Sequence, residues 1–211
     1  GQVRALRKSR AGDMVGLKAS RSPSISAAIV AVGFSGMVAQ LLLVRELLVV
    51  FLGNELSIGI VLGNWLVLEA AGSYLGRFRE SRLPLKPFLL VTCLFAAALP
   101  LCLYAVRVCK GLFGLPFGEG SSALHMLLFS LLVLLPVSLP HGALFTIGSR
   151  LYARESRQRG SPAPAAGRVY MLEVLGTAAG GVAFTYLLIP RFHSFQIGLG
   201  VCALNFLICL P

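Results

Sequence analysis

Residues 26–52 read SAAIVAVGFSGMVAQLLLVRELLVVFL, and residues 55–76 follow almost at once as ELSIGIVLGNWLVLEAAGSYLG. Each run exceeds the ~20 mostly apolar residues that cross ~30 Å of hydrocarbon at ~1.5 Å per residue, so each predicts a membrane-spanning helix. Working outward, comparable apolar runs recur at 87–106, 123–152, 169–189 and 194–211. The expectation is an all-α, polytopic bundle of about six transmembrane helices in one domain, 26–211, behind a basic cytoplasmic tail, 1–25.

Composition points the same way. Of 211 residues 56% are hydrophobic and 13% charged, and the mean hydropathy is +0.82, far from the balance of a water-soluble domain. The formal net charge of +11 does not signal nucleic acid, because most basic residues fall in three clusters between the apolar runs. The tail carries six Lys and Arg. The second loop carries Arg77, Arg79, Arg82 and Lys86, and the fourth carries Arg150, Arg154, Arg157, Arg159 and Arg168. The first, third and fifth loops carry only Arg107, Lys110 and Arg191 between them. Fifteen against three places the tail and the even-numbered loops in the cytoplasm, with both chain ends inside.

The fourth loop includes Gly160, Ser161, Pro162, Ala163 and Pro164 and is the one linker-like stretch, dividing the spans four plus two. Gly1 stands where a Met would, and Pro211 lies directly behind an apolar run, so both ends read as cuts. The first apolar run is longer than a signal-peptide core and is expected to be retained. Cys93, Cys102, Cys109, Cys202 and Cys209 lie in or beside apolar runs without C-x-x-C spacing and read as small packing residues, with no metal site.

Small residues four apart, Gly59 with Gly63, Gly72 with Gly76 and Gly176 with Gly180, predict close helix packing. The first two pairs point in different directions, so the second span is expected to be a central helix touching neighbours on two faces. A homo-oligomer is left open. Pro136 and Pro140 predict a bend beside His141.

Ionisable groups within the spans mark candidate sites. Arg45 and Glu46 are adjacent, diverge on the helix and read as structural charges near the outer interface. By helical rise Glu69 and Glu173 lie roughly 8 to 11 Å from the cytoplasmic edge and His141 roughly 13 Å. Both glutamates open the same pattern, Glu-x-x-Gly-x-x-x-Gly, which turns each carboxylate toward its helix's small-residue face. Together Glu69, Glu173 and His141 could bind a cation, relay protons or contact a cationic substrate. The plainer alternative is that each only accepts a buried hydrogen bond from a Ser, Thr or Trp on a neighbouring helix, for instance from Ser73, Thr146 or Trp65. The recurrence in spans two and five hints at a three-plus-three repeat, weakly, since the glutamates are not at mirrored depths.

No nucleotide fingerprint, Walker A sequence or nucleophile elbow is present, so no catalytic residue is assigned. His125 and His141 are some 24 Å apart along one helix and cannot share a haem; His125 and His193 read as solvated near the outer interface.

Three stretches carry a family resemblance: Gly33-Phe34-Ser35-Gly36 with Arg45-Glu46-Leu47-Leu48; Gly72-Ser73-Tyr74-Leu75-Gly76-Arg77; and Gly167-Arg168-Val169-Tyr170 through Leu175-Gly176 to Leu188-Ile189-Pro190. They resemble the membrane region of bacterial fused, membrane-bound spermidine synthase-like proteins, over nearly all of the apolar sequence. The resemblance implies major-facilitator-like helices in the inner membrane. It also implies a cytoplasmic aminopropyltransferase domain, absent from this chain, that uses decarboxylated S-adenosylmethionine and a polyamine acceptor. Glu173 stands where the family pattern has Asn. On this reading the chain itself holds no cofactor, and its partners are the bilayer and a polyamine or other cationic small molecule. A small-molecule or cation transporter, or a half-transporter, is the alternative; a passive anchor or assembly subunit is a further one.

Overall fold

The structure, a computed structural model, describes residues 21–51, 53–78, 85–112, 122–158 and 165–209. The tail before residue 21, Arg79, Arg82, Arg159, the linker-like stretch 160–164 and residues 210–211 lie outside them. All the regular structure described is helical: α1 (Arg21–Val50), α2 (Glu55–Gly76), α3 (Leu85–Leu112), α4 (Ala123–Gln158), α5 (Ala165–Ala183) and α6 (Ser194–Cys209), with α5 continued by one π-helical turn, Phe184–Leu188. Helices α1 to α5 each hold a stretch long and apolar enough to cross a membrane, the makeup of a multi-pass membrane protein; the described α6 has 16 residues.

The bounds of α2 are those read from the sequence. Helices α3 and α4, at 28 and 36 residues, outrun their apolar cores, because Lys86, Arg107 and Arg154 continue the helical backbone past the apolar stretch. Helix α4 is continuous through Pro136 and Pro140, and α3 through Pro100. The α1–α2 connection is tight for a local reason. Gly53 takes a left-handed φ of 42°, and its N–H donates to the Leu48 carbonyl at 2.9 Å, closing the end of α1. Asn54 is extended and its side chain accepts from the Ser57 N–H at 2.7 Å, capping α2.

Successive helices run in opposite directions. Ser57 meets Met126 and Ser73 meets Thr146, so α2 and α4 are parallel. Gly33 meets Glu173 and Phe34 meets Gly180, so α1 and α5 are parallel too. One end of the bundle therefore collects Arg77 and Arg150, whose side chain donates to the Arg77 carbonyl at 2.6 Å. Glu46, Asn54 and Arg107 collect at the other.

Helix α1 is the centre of the bundle and touches all five other helices. Of its apolar stretch 61% is buried, against 33% for α2 and 17% for α5. The expectation that α2 is central is thus overturned. Gly72 and Gly76 are buried against α4, but Gly59 and Gly63 are exposed and a Cβ at either would meet nothing within 4 Å. The nine residues from Gly63 to Gly72 turn the helix by about 900°, half a turn net, so the two pairs sit on opposite faces. Only one of those faces has a partner among the described residues.

The Gly72 and Gly176 patterns do pack, and in the same way. A Cβ at Gly72 would strike the Leu139 carbonyl, one at Gly142 the Glu69 carbonyl, and one at Gly76 would come within 3.1 Å of the Ala143 carbonyl. In the second pair, Gly176 opposes the Val30 carbonyl, Gly33 the Glu173 carbonyl, and Gly180 the Phe34 carbonyl at 2.7 Å. The same three offsets recur: α5 rests on α1 as α2 rests on α4. Backbones approach this closely only where side chains are missing on both sides.

Candidate functional site

Polar side chains within the bundle concentrate on the α2–α4 seam. From the Asn54 end, the Ser57 hydroxyl lies 3.4 Å from the Met126 sulfur. Asn64 donates to the Leu127 carbonyl at 2.8 Å and to Ser130 Oγ at 2.9 Å. Near the arginine-bearing end, the Ser73 and Thr146 hydroxyls are 2.8 Å apart, and Thr146 donates to the Ser73 carbonyl at 2.9 Å. Buried polar groups without such partners would be costly in hydrocarbon.

Between these sits the acid–imidazole pair. Glu69 Oε1 lies 2.6 Å from His141 Nδ1, and Trp65, one turn earlier on α2, donates from its indole N–H to Oε2 at 3.2 Å. Proximity follows from the glycine packing: Gly142 takes the Glu69 carbonyl against its Cα, which draws the two side chains into one layer. The His141 ring is tilted against Trp65 and Phe95, at centroid distances of 6.2 and 5.5 Å. Its side chain is 7% exposed, against 30% for that of Glu69. Nδ1 is held by the carboxylate. Nε2, at the far side of the ring, is aimed at α1, where it lies beside the Val32 backbone without a well-formed hydrogen bond among the described residues and fills the space a side chain at Gly36 would need.

Glu173, half-buried on α5, makes no hydrogen bond with the described residues, yet its charge acts on both His141 and Glu69. It borders a small cavity between α1, α3, α4 and α5, with Val32, Phe88, Leu144 and Val169 among its walls. About 10 Å³ there is open to the centre of a water molecule, which is the room one water requires. The three expected residues are therefore neighbours: two are in direct contact and the third lies within electrostatic reach of both. Among the described residues no three His, Cys, Asp or Glu side chains are close enough to hold a metal ion together.

Of the donors named in the plainer alternative only Trp65 reaches a glutamate, and it does so from Glu69's own helix beside the His141 contact, so Glu69 does more than accept one hydrogen bond from a neighbouring helix. Ser73 and Thr146 satisfy each other instead of a glutamate. Arg45 is exposed, and its neighbour Glu46 is gripped by Arg107 of α3, from Nε to Oε2 at 3.2 Å and from the terminal NH2 to Oε1 at 3.1 Å. That pair joins the ends of two parallel helices and is a structural clamp. Counting loop charges had set Arg107 outside the spans, so its partner could not be read from the sequence. His125 and His193 are exposed. Gly33, Gly36 and Gly142 were not singled out as packing residues; a Gly-x-x-Gly in α1 and a glycine directly after His141 were the available signals. No protein-family model, curated protein or solved structure matches the chain.

Proposed function

We propose that this chain is the membrane-embedded region of a spermidine synthase-like protein, lying in the inner membrane as six spans with both ends in the cytoplasm. In that reading it anchors a cytoplasmic aminopropyltransferase domain and holds that enzyme's cationic substrate or product at Glu69, Glu173 and His141. The observation that carries the site is the buried Glu69–His141 contact with a second carboxylate facing it. Two acids against one imidazole leave an excess of negative charge in an apolar setting, and a cation is the natural complement. A bare metal ion needs ligands at ~2.0–2.6 Å on all sides, which this spacing does not offer. An extended organic cation such as a diamine can place one ammonium group among these side chains and keep its other charged end outside the apolar layer.

The loop-charge asymmetry supports the orientation, and the three quoted sequence stretches support the family. The repeated docking of α2 on α4 and of α5 on α1 favours a second reading, a transporter built from two three-helix units, with the same residues as its substrate site.

Glu69→Gln and Glu173→Gln are each expected to weaken putrescine or spermidine binding to the purified protein at least tenfold, a loss of about 1.4 kcal/mol. Unchanged isotherms in both variants would sink the site and leave the anchor. Uptake into proteoliposomes driven by a proton gradient would favour the transporter, and uptake equal to that of empty vesicles would count against it.

A further inference from the structure

The charge balance of the site has a consequence for how it loads, resting on the cation-binding reading above. Glu69 and Glu173 contribute two carboxylates. His141, with Nδ1 committed to Glu69, contributes at most one positive charge. No other charged side chain among the described residues faces the imidazole: α1 presents Val32 and Gly36, α3 presents Phe95, and α2 adds the Trp65 indole beside Glu69. One negative charge remains over, and isolated charge in a low-dielectric interior is strongly penalised. The vacancy is filled by one proton or by one cationic group, but filling it with both restores the imbalance with opposite sign.

We propose that Glu69, His141 and Glu173 act as one exchange unit in which an organic ammonium group displaces a single proton. The second carboxyl gives up its O–H proton to a water in the cavity beside Glu173, and the ammonium group takes over the charge that the proton had balanced. No electron moves, and the charge of the buried group is the same before and after. The placement of Nε2 is the second feature pointing to this unit. A side chain more than nine-tenths buried ends there with a polar nitrogen that lies beside the Val32 backbone and makes no well-formed hydrogen bond among the described residues. It is aimed from α4 toward α1, on which α5, the helix of Glu173, is docked. The imidazole thus joins the α2–α4 pair to the α1–α5 pair in a layer where both carry a glutamate.

The test is calorimetric titration of the reconstituted protein with putrescine in buffers of different ionisation heat, where the slope of apparent enthalpy against buffer heat counts protons. About one proton released per putrescine is expected in the wild type, with affinity rising as pH rises because the proton competes. Glu173→Gln, which removes no hydrogen bond seen in the fold, is expected to bring the slope to zero. His141→Gln is expected to reduce the slope, and melting curves of both variants check that they are folded. Binding with zero slope in the wild type, at a pH-independent affinity, overturns the exchange and leaves the cation site standing. No heat and no binding at any pH overturns both.

Discussion

Alanine at Gly72 and alanine at Gly59 are the same change on the same helix, thirteen residues apart, and the packing predicts opposite results. At Gly59 a Cβ meets nothing within 4 Å, so the substitution gains only the helix preference of Ala over Gly, up to about 1 kcal/mol. At Gly72 the new Cβ would overlap the Leu139 carbonyl oxygen and lie 2.8 Å from its carbon and 3.0 Å from its Cα. Backbone cannot swing aside as a side-chain tip can, so α2 and α4 must separate by roughly 1 Å, an overpacking that costs about 1–3 kcal/mol. The same separation would stretch the 2.6 Å Glu69–His141 contact to about 3.5 Å, beyond hydrogen-bond range. The assay is thermal unfolding in one detergent or nanodisc, followed by tryptophan fluorescence, since Trp65 is the chain's single tryptophan and lies in this layer. Gly59→Ala is expected to melt at or above the wild-type temperature and Gly72→Ala clearly below it, with weakened putrescine binding as well. Equal melting temperatures for the two would refute the account of how α2 is seated.

Two further outcomes are expected. Glu46→Gln should cost under ~1 kcal/mol, since Arg107 is half exposed and such pairs are screened, whereas Arg107→Ala should cost more because it strands a carboxylate that is 14% exposed; a double-mutant cycle showing no coupling even at low salt would remove the clamp. Intact mass and peptide mapping of the polypeptide from its native source should find residues beyond Pro211 that carry a nucleotide-type transferase; a chain ending near Pro211 would take the enzyme out of the proposed function and leave transport or assembly.

Much of the architecture is legible in the order of residues alone. Long apolar runs must be helical in hydrocarbon, because a backbone without water satisfies its hydrogen bonds only internally, and so all six helices and the bounds of α2 follow from the runs. The Glu-x-x-Gly-x-x-x-Gly spacing is equally local: it fixes that Glu69 and Gly72 share a face of α2 and that Glu173 and Gly176 share a face of α5. Helix-length arithmetic also puts Glu69, Glu173 and His141 in the same part of the bundle.

What periodicity within one helix cannot say is which neighbour, if any, a face meets. Gly59-x-x-x-Gly63 and Gly72-x-x-x-Gly76 are identical as spacings, yet among the described residues only the second has a helix against it, and the central helix is α1. Whether Glu46 is paired depended on Arg107, 61 residues away, and whether Glu69 is paired depended on His141, 72 residues away. Those distances are closed by packing between helices, through backbone carbonyls seated on glycines. The sequence by itself therefore determined the helices and the residues able to carry charge among them. Only the tertiary structure decided which charges stand together, because that depends on contacts between faces and not on the order of residues along any one of them.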